Sequence, residues 1–226
     1  MTRAGAALLL GIALVLVAPA TGSASGVELR LGGFGPRGES DLFTDVNELF
    51  GAEPSDFIGF TGGLEYGIGL GDRVEIGFHL DGYGRKISTS YVDYEHADGF
   101  PITQDLQLAI VPIGASLRLM PFGRRARVSP YLTVGGGVYL YEYEEEGEFI
   151  DFFTEDLEVG FDSFVSNGAA LGFHVAGGVR VALNHDFSLT GEVRYQRAEA
   201  DMGDDFDLNH IDLGGTSVTV GVHLRF

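Results

Sequence analysis

The stretch TSVTVGVHLRF, residues Thr216–Phe226, decides the fold of this chain of 226 residues. One face of the stretch is wholly apolar and carries Val218, Val220, Val222, Leu224 and Phe226. The residues between them are small or polar and fall on the opposite face. Alternation with a period of two predicts a β-strand that has one apolar and one polar face.

Seven earlier stretches alternate in the same way, so the sequence predicts eight β-strands. The seven lie near residues 27–33, 58–70, 74–81, 106–119, 129–143, 173–183 and 187–195. The connections between the eight strands run long, short, long, short, long, short, long. Tight turns such as Gly71-Asp72-Arg73 alternate with long polar loops, which are expected at residues 84–104 and 144–167.

Short turns at one end and long loops at the other are typical of a transmembrane β-barrel. The polar faces carry charges of both signs, namely Glu28, Arg30, Glu65, Glu75, Arg118, Arg180, Glu192, Arg194 and Arg225. Such groups are costly to bury unpaired in a dry core, whereas the aliphatic face suits lipid. We therefore predict an all-β fold: an eight-stranded antiparallel transmembrane β-barrel, arranged as an up-and-down meander that closes on itself.

The fourth predicted strand changes phase in its middle. Apolar residues occupy even positions from Leu106 to Ile110 and odd positions from Ile113 to Leu119. Pro112 lies at the change, and a proline within a strand needs a bulge or an unpaired position. Because a bulge shifts the register by one residue, we predict a β-bulge at this proline.

The first 24 residues have the features of a secretory signal peptide. Arg3 supplies the positive end, Leu8–Val17 is a short apolar run, and small residues follow it. The run is too short to span a membrane comfortably as a helix. We expect residues 1–24 to be the signal peptide, cleaved between residues 20 and 25, and residues 25–226 to form the barrel domain.

The composition excludes several classes of protein. A net charge of −19 argues against a nucleic-acid partner, because phosphate binding needs clustered lysine and arginine. The absence of cysteine excludes disulfides and thiolate zinc sites.

Three segments carry a family resemblance: residues 111–114 (VPIG), residues 130–137 (PYLTVGGG) and the last strand with its terminal phenylalanine. They resemble the outer-membrane β-barrel domain family, which groups small porin-like, opacity-like and attachment-type surface proteins of Gram-negative bacteria. The resemblance implies a place in the bacterial outer membrane. It also implies contact with outer-membrane lipid and lipopolysaccharide, and handling by periplasmic chaperones and the barrel assembly machinery. It implies no particular activity.

Inside the barrel, two interpretations stand side by side. The inward charges form a paired polar plug in which His79, His174 and His223 take part in hydrogen bonds, or they line a narrow channel with a proton-sensitive gate. Six tyrosines fall near predicted strand ends or on the lumen face, namely Tyr83, Tyr131, Tyr139, Tyr141, Tyr143 and Tyr195. We expect them mainly at the headgroup level of the membrane, with ligand stacking as the alternative. The apolar residues of the first loop are either an adhesive tip or a loop that packs on the barrel mouth; they are Leu42, Phe43, Leu49 and Phe50.

Acidic residues crowd two of the predicted loops, at residues 142–156 and 201–212. Asp205-Phe206-Asp207-Leu208-Asn209 matches the opening of an EF-hand loop, but His210 then replaces the turn glycine and Thr216 stands at the twelfth position. We therefore predict no dedicated metal site. Divalent cations that bridge a solvated acidic surface to lipopolysaccharide phosphates remain an expectation.

No catalytic set is apparent in the sequence. A lipid A deacylase needs a serine two residues after a strand histidine, and none of the three strand histidines has one. Asp162 and Ser163 with His96 or His210 are the remaining acyltransfer candidate, and nothing in the sequence brings them together. We predict no enzyme, no cofactor and no catalytic residue. The expected function is a monomeric structural or surface-interaction protein; the alternatives are a narrow porin and, behind it, a lipid A-modifying enzyme.

Overall fold

The computed structural model describes residues 25–151, 158–202, 206 and 210–226. The predicted signal peptide, residues 1–24, lies outside these residues. The strands are β1 (Ser25–Pro36), β2 (Gly59–Gly69), β3 (Val74–Glu95), β4 (Pro101–Leu119), β5 (Val128–Asp151), β6 (Glu158–Ala182), β7 (Phe187–Ala200), β8 (Ile211–Asp212) and β9 (Gly215–Arg225). Helix α1 (Asp41–Phe50) and a 3-10 turn (Pro54–Phe57) lie between β1 and β2. No helix among the described residues is long and apolar enough to cross a membrane.

Eight of these strands close into a ring. Strands β1 to β7 pair antiparallel in chain order, and β9 then pairs with both β7 and β1. The two-residue strand β8 pairs with β7 beyond the ring. The predicted eight-stranded antiparallel meander is therefore confirmed. One end of the barrel holds Ser25 and Phe226, and we call it the terminal end; the other holds α1, and we call it the helix end.

The two faces of the last strand lie as the alternation predicts. Val218 and Val220 point outward, with 58% and 68% of their surface exposed, whereas Thr219 and His223 point inward and are buried. Outward apolar residues on the other strands continue this face around the cylinder, and we call the band the aliphatic girdle; it includes Leu29, Phe78, Leu117, Leu132, Val175, Leu189 and Val218. Such a band is typical of a surface that faces lipid.

The predicted bulge at Pro112 is wrong. Leu80 pairs with Ile113 and Tyr83 pairs with Ile110, so the register is the same on both sides of the proline. Even positions point inward along the whole of β4, including Leu106 to Ile110, which are buried. The strand keeps the same inward positions along its whole length. The apolar residues, however, lie on its inward face up to Ile110 and on its outward face from Ile113 onward.

The predicted long loops at residues 84–104 and 144–167 are also wrong, because most of these residues continue the strands. Strands β3 to β6 are 22, 19, 24 and 25 residues long, whereas a membrane-spanning strand needs about 10. Their upper halves rise beyond the aliphatic girdle at the helix end. We call these segments, residues 85–95, 101–110, 141–151 and 158–168, the raised wall.

The apolar core of the protein lies inside the raised wall, at the helix end. Helix α1 buries one face there, and Gly51 ends the helix in the left-handed conformation with φ of 63°. The buried cluster, which we call the apolar plug, includes Phe34, Leu42, Phe43, Val46, Phe50, Phe57, Tyr91, Ile102, Leu106, Leu108, Ile110, Tyr139, Tyr141, Tyr143, Ile211 and Leu213. Of the two interpretations of the first loop, the structure supports packing on the barrel mouth, although Leu49 stays exposed.

Candidate functional site

Below the apolar plug, the lumen is filled by ion pairs. Four arginines and five carboxylates meet there from strands β1, β2, β3, β4, β6 and β7; they are Arg30, Arg118, Arg180, Arg194, Glu28, Glu65, Glu75, Asp81 and Glu192. All of them come from inward positions of the alternating strands. We call this set the ion-pair network.

Arg118 lies at the centre of the network and is 1% exposed. Its guanidinium nitrogens lie 2.7 Å from a Glu65 oxygen and 2.9 Å from a Glu75 oxygen. The guanidinium carbon also lies 4.5 Å from the ring centre of Tyr131, a cation–π contact. Arg118 therefore joins strands that are not neighbours in the sheet.

A second centre of the network is Asp81, which two arginines share. Arg30 approaches it at 2.9 Å and Arg194 at 2.8 Å. Arg194 also pairs with Glu192 at 2.9 Å. Because each carboxylate meets more than one guanidinium, the buried charges compensate one another, as a dry interior requires.

The three predicted histidines lie inside the barrel and are buried. His79 and His174 pack edge to face, with ring centres 4.9 Å apart. Neither ring nitrogen of His174 or of His223 hydrogen-bonds to another described residue, contrary to the predicted role. The rings of His174 and His223 therefore fill space among the charged side chains without linking them through hydrogen bonds.

A cavity of about 20 Å³ separates the ion-pair network from the apolar plug. Arg30, Asp81 and Arg194 line it on the network side, and Tyr83 and Ile110 line it on the plug side. This volume holds about one water molecule.

Strand β8 is held at the mouth of the barrel by contacts of Asp212. Arg37, which follows β1, lies 2.8 Å from the carboxylate of Asp212, and the Gly214 amide donates to the same carboxylate at 2.8 Å. The hydrogen bond with Asp212 raises the pKa of the Arg37 guanidinium above its ordinary value. The sequence does not predict the Arg37–Asp212 ion pair, because no local pattern links residues so far apart in the chain.

The outer face of the raised wall carries a row of acids. Glu142, Glu144 and Glu146 alternate along β5 with inward residues, and we call them the acidic stripe. The nearest described cation is Lys86, which lies 2.9 Å from Asp105 and 3.9 Å from Glu146. The stripe therefore keeps a strong excess of negative charge on a paired sheet, not on a loose loop.

Five tyrosines point into the lumen. This is one of the two locations predicted for them, and the expected place at the headgroup level is wrong for these five: Tyr83, Tyr131, Tyr139, Tyr141 and Tyr143 are buried. The hydroxyl of Tyr143 donates to Glu145 at 2.8 Å, and burial raises the pKa of that carboxyl above its ordinary value.

The structure does not assemble the candidate acyltransfer set. His96 pairs with Glu148 at 3.2 Å and His210 with Asp201 at 3.5 Å, whereas the Asp162 carboxylate accepts the backbone N–H of Ser163. In the described part of the chain, no group of three acidic, histidine or cysteine side chains is placed to hold a metal ion. Of the EF-hand-like segment at residues 205–209, all but Phe206 lies outside the described residues.

Both the fold and the sequence define a class of protein. The model of the outer membrane protein beta-barrel domain family matches residues 4–226, and the chain belongs to that family. The protein is thus a barrel of the bacterial outer membrane.

Solved structures resemble this chain in fold. OprG from Pseudomonas aeruginosa is 14% identical, with a TM-score of 0.50, and the match covers 90% of this chain and 97% of that one. Neisserial surface protein A is 15% identical with a TM-score of 0.46, covering 90% and 96%. The outer membrane protease OmpT from Escherichia coli is 10% identical with a TM-score of 0.48, covering 93% and 99%. No curated protein matches the chain.

Replacing the central arginine tests the ion-pair network. Arg118→Met leaves Glu65 and Glu75 buried with fewer cations, so we expect it to lower the free energy of unfolding by about 3–5 kcal/mol. The measurement is urea unfolding of the protein refolded in lipid vesicles, followed by heat-modifiability on gels.

The matched control is Arg197→Met on the outer face of β7. Arg197 is half exposed and pairs with Glu199 at 2.9 Å, so its loss should cost less than about 1 kcal/mol. Equal losses in the two variants contradict the central role of Arg118.

Proposed function

We propose that the protein is a non-enzymatic, non-conducting barrel that presents the raised wall as an interaction surface outside the outer membrane. The observation that carries the proposal is the filling of the lumen at two successive levels. Ion pairs around Arg118 occupy the lower level, and the apolar plug under α1 occupies the upper one. A solute would have to displace both layers to cross.

The build of the raised wall supports the surface role. Strands β5 and β6 pair without a register shift from Val128 and Val181 to Asp151 and Glu158. A continuous sheet holds its outward side chains at fixed spacing, whereas a flexible loop loses conformational freedom when it binds a partner.

Lipopolysaccharide is the nearest partner that this surface fits. Glu142, the first residue of the acidic stripe, lies two positions beyond the outward-facing Leu140 on β5. That spacing corresponds to about 7 Å along the strand, so the stripe begins at the headgroup level. Divalent cations between these carboxylates and lipopolysaccharide phosphates would make the contact favourable. The proposal takes the protein to be a monomer.

Two other functions receive less support. A narrow porin needs a continuous polar path, and the cavity between the two layers has room for about one water. An enzyme needs a nucleophile and a base within hydrogen-bond reach, and Ser163 lacks such a partner among the described histidines. The likeness to the protease OmpT is one of fold alone.

Conductance in planar bilayers tests the closed lumen. We expect the refolded protein to give no current steps above the bilayer baseline, because both layers block the axis. A large-pore porin, inserted in the same bilayer, is the positive control. Discrete steps, together with swelling of liposomes in small solutes, would favour the porin alternative.

The triple variant E142Q/E144Q/E146Q tests the acidic stripe. In vesicles that contain lipopolysaccharide, we expect Mg²⁺ to raise the unfolding temperature of the native protein relative to EDTA by about 2–4 °C, and the variant to lose most of this shift.

The control for the triple variant is Q107E. Gln107 lies on β4 opposite Glu144 of β5, so the substitution adds an outward carboxylate and should keep or enlarge the Mg²⁺-dependent shift in unfolding temperature. An identical shift in all three proteins contradicts a role of the stripe in cation-mediated contact. That result would not affect the conductance prediction, which concerns the lumen alone.

A further inference from the structure

The terminal end of the barrel carries a positive surface, although the whole chain has a net charge of −19. Five arginines lie in its turns and at the end of β9, which we call the basic rim: Arg73, Arg124, Arg125, Arg127 and Arg225. The same turns contain two acidic side chains, Asp72 and Asp186. The distribution of charge is thus opposite to that of the helix end.

Hydrogen bonds hold this rim in one arrangement. The Arg124 amide donates to the Asp72 carbonyl at 2.8 Å, which ties the β4–β5 turn to the β2–β3 turn. A guanidinium N–H of Arg225 donates to the Arg124 carbonyl at 2.9 Å, and Ser129 donates to the Gly123 carbonyl at 2.7 Å. Two turns and the last strand therefore form one continuous surface.

Three arginines of the rim are unpaired within the described part of the protein. No described carboxylate lies within ion-pair distance of Arg73, Arg125 or Arg127, and all three are exposed. At the helix end, Arg37, Lys86 and Arg197 each pair with an acid, as their separations from Asp212, Asp105 and Glu199 show. Arg85 is the exception there, since it donates to the backbone carbonyl of Asp56 at 3.1 Å. Guanidinium groups without an internal partner are suited to an external anion.

The rim also lies at the edge of the aliphatic girdle. The lipid-facing Leu119 and Val128 flank the β4–β5 turn in the sequence, and both are about half exposed. Phe122, at the tip of this turn, is 71% exposed. Aromatic side chains and arginines at the ends of membrane-spanning strands sit at headgroup depth.

From these observations we propose that the basic rim binds the phosphate groups of anionic phospholipids in the leaflet at the terminal end. Arginine presents a fork of N–H donors that matches phosphate oxygens, and a polybasic surface next to a bilayer attracts anionic lipid. Outer-membrane barrels have their short turns on the periplasmic side, and the short turns of this chain lie at the terminal end, so this leaflet is the inner one. The rim would thus collect anionic phospholipid around one end of the barrel.

A fluorescent reporter tests the proposal directly, because the chain contains no tryptophan. Phe122→Trp places a single indole at the tip of the basic turn. The variant is refolded in phosphatidylcholine vesicles that contain a minor fraction of phosphatidylglycerol, and one lipid or the other carries brominated tails. At equal mole fraction of brominated lipid, we expect phosphatidylglycerol to quench the indole at least about twice as strongly as phosphatidylcholine.

The Phe122→Trp variant with R125Q/R127Q should lose this preference, because two unpaired charges are removed. The matched control combines Phe122→Trp with R197Q at the helix end and should keep the preference. Raising the salt concentration should weaken it in proteins with an intact rim. Heat-modifiability on gels verifies that all three proteins are folded.

Equal quenching by the two lipids with the rim intact overturns the proposal and points instead to an acidic periplasmic molecule. A preference that persists unchanged in R125Q/R127Q also overturns it.

Discussion

Lipid offers no hydrogen bonds to a peptide group, and this constraint shapes the whole molecule. A sheet in the membrane can satisfy every backbone N–H and C=O only by closing on itself. Strand β9 makes the closure, because it pairs with β7 on one side and with β1 on the other. Once the ring is closed, each strand has one face toward lipid and one toward the lumen. The position of every side chain in the girdle follows from that alternation.

A ring of eight strands leaves an interior that side chains can fill. Here they form two layers, one of ion pairs and one of apolar side chains. Polar residues at the inward positions of the girdle form the ion-pair network around Arg118. Above the girdle, where the outside of the wall meets water, the inside is apolar and packs against α1. The charges are buried because lipid excludes them from the outer face, and pairing makes their burial tolerable. The closed ring and the burial of the charges therefore have the same physical origin.

The sequence predicts correctly the part of the fold that lies in lipid. Its predictions are wrong where the outside of the barrel passes from lipid to water. Within the girdle, the outward face of β9 is read directly from its alternating valines. In β4 the inward positions are even throughout, but the apolar side switches from inside at Leu106 to outside at Leu117. The switch looks like a bulge, because alternation alone does not mark the depth at which lipid gives way to water. The same inversion makes the outer carboxylates of the raised wall resemble loop residues. The Arg37–Asp212 ion pair joins residues far apart in the chain, so no local pattern predicts it.

The orientation of side chains along β9 is the most direct test of this account. The chain has no cysteine, so single cysteines at Val220, Val222, Thr219 and His223 can each carry a spin label without background. In vesicles, we expect labels at Val220 and Val222 to be accessible to oxygen dissolved in lipid, and labels at Thr219 and His223 to be immobile and shielded from it. High lipid accessibility at Thr219 and His223, with shielding at the two valines, would contradict the placement of lipid on the aliphatic face.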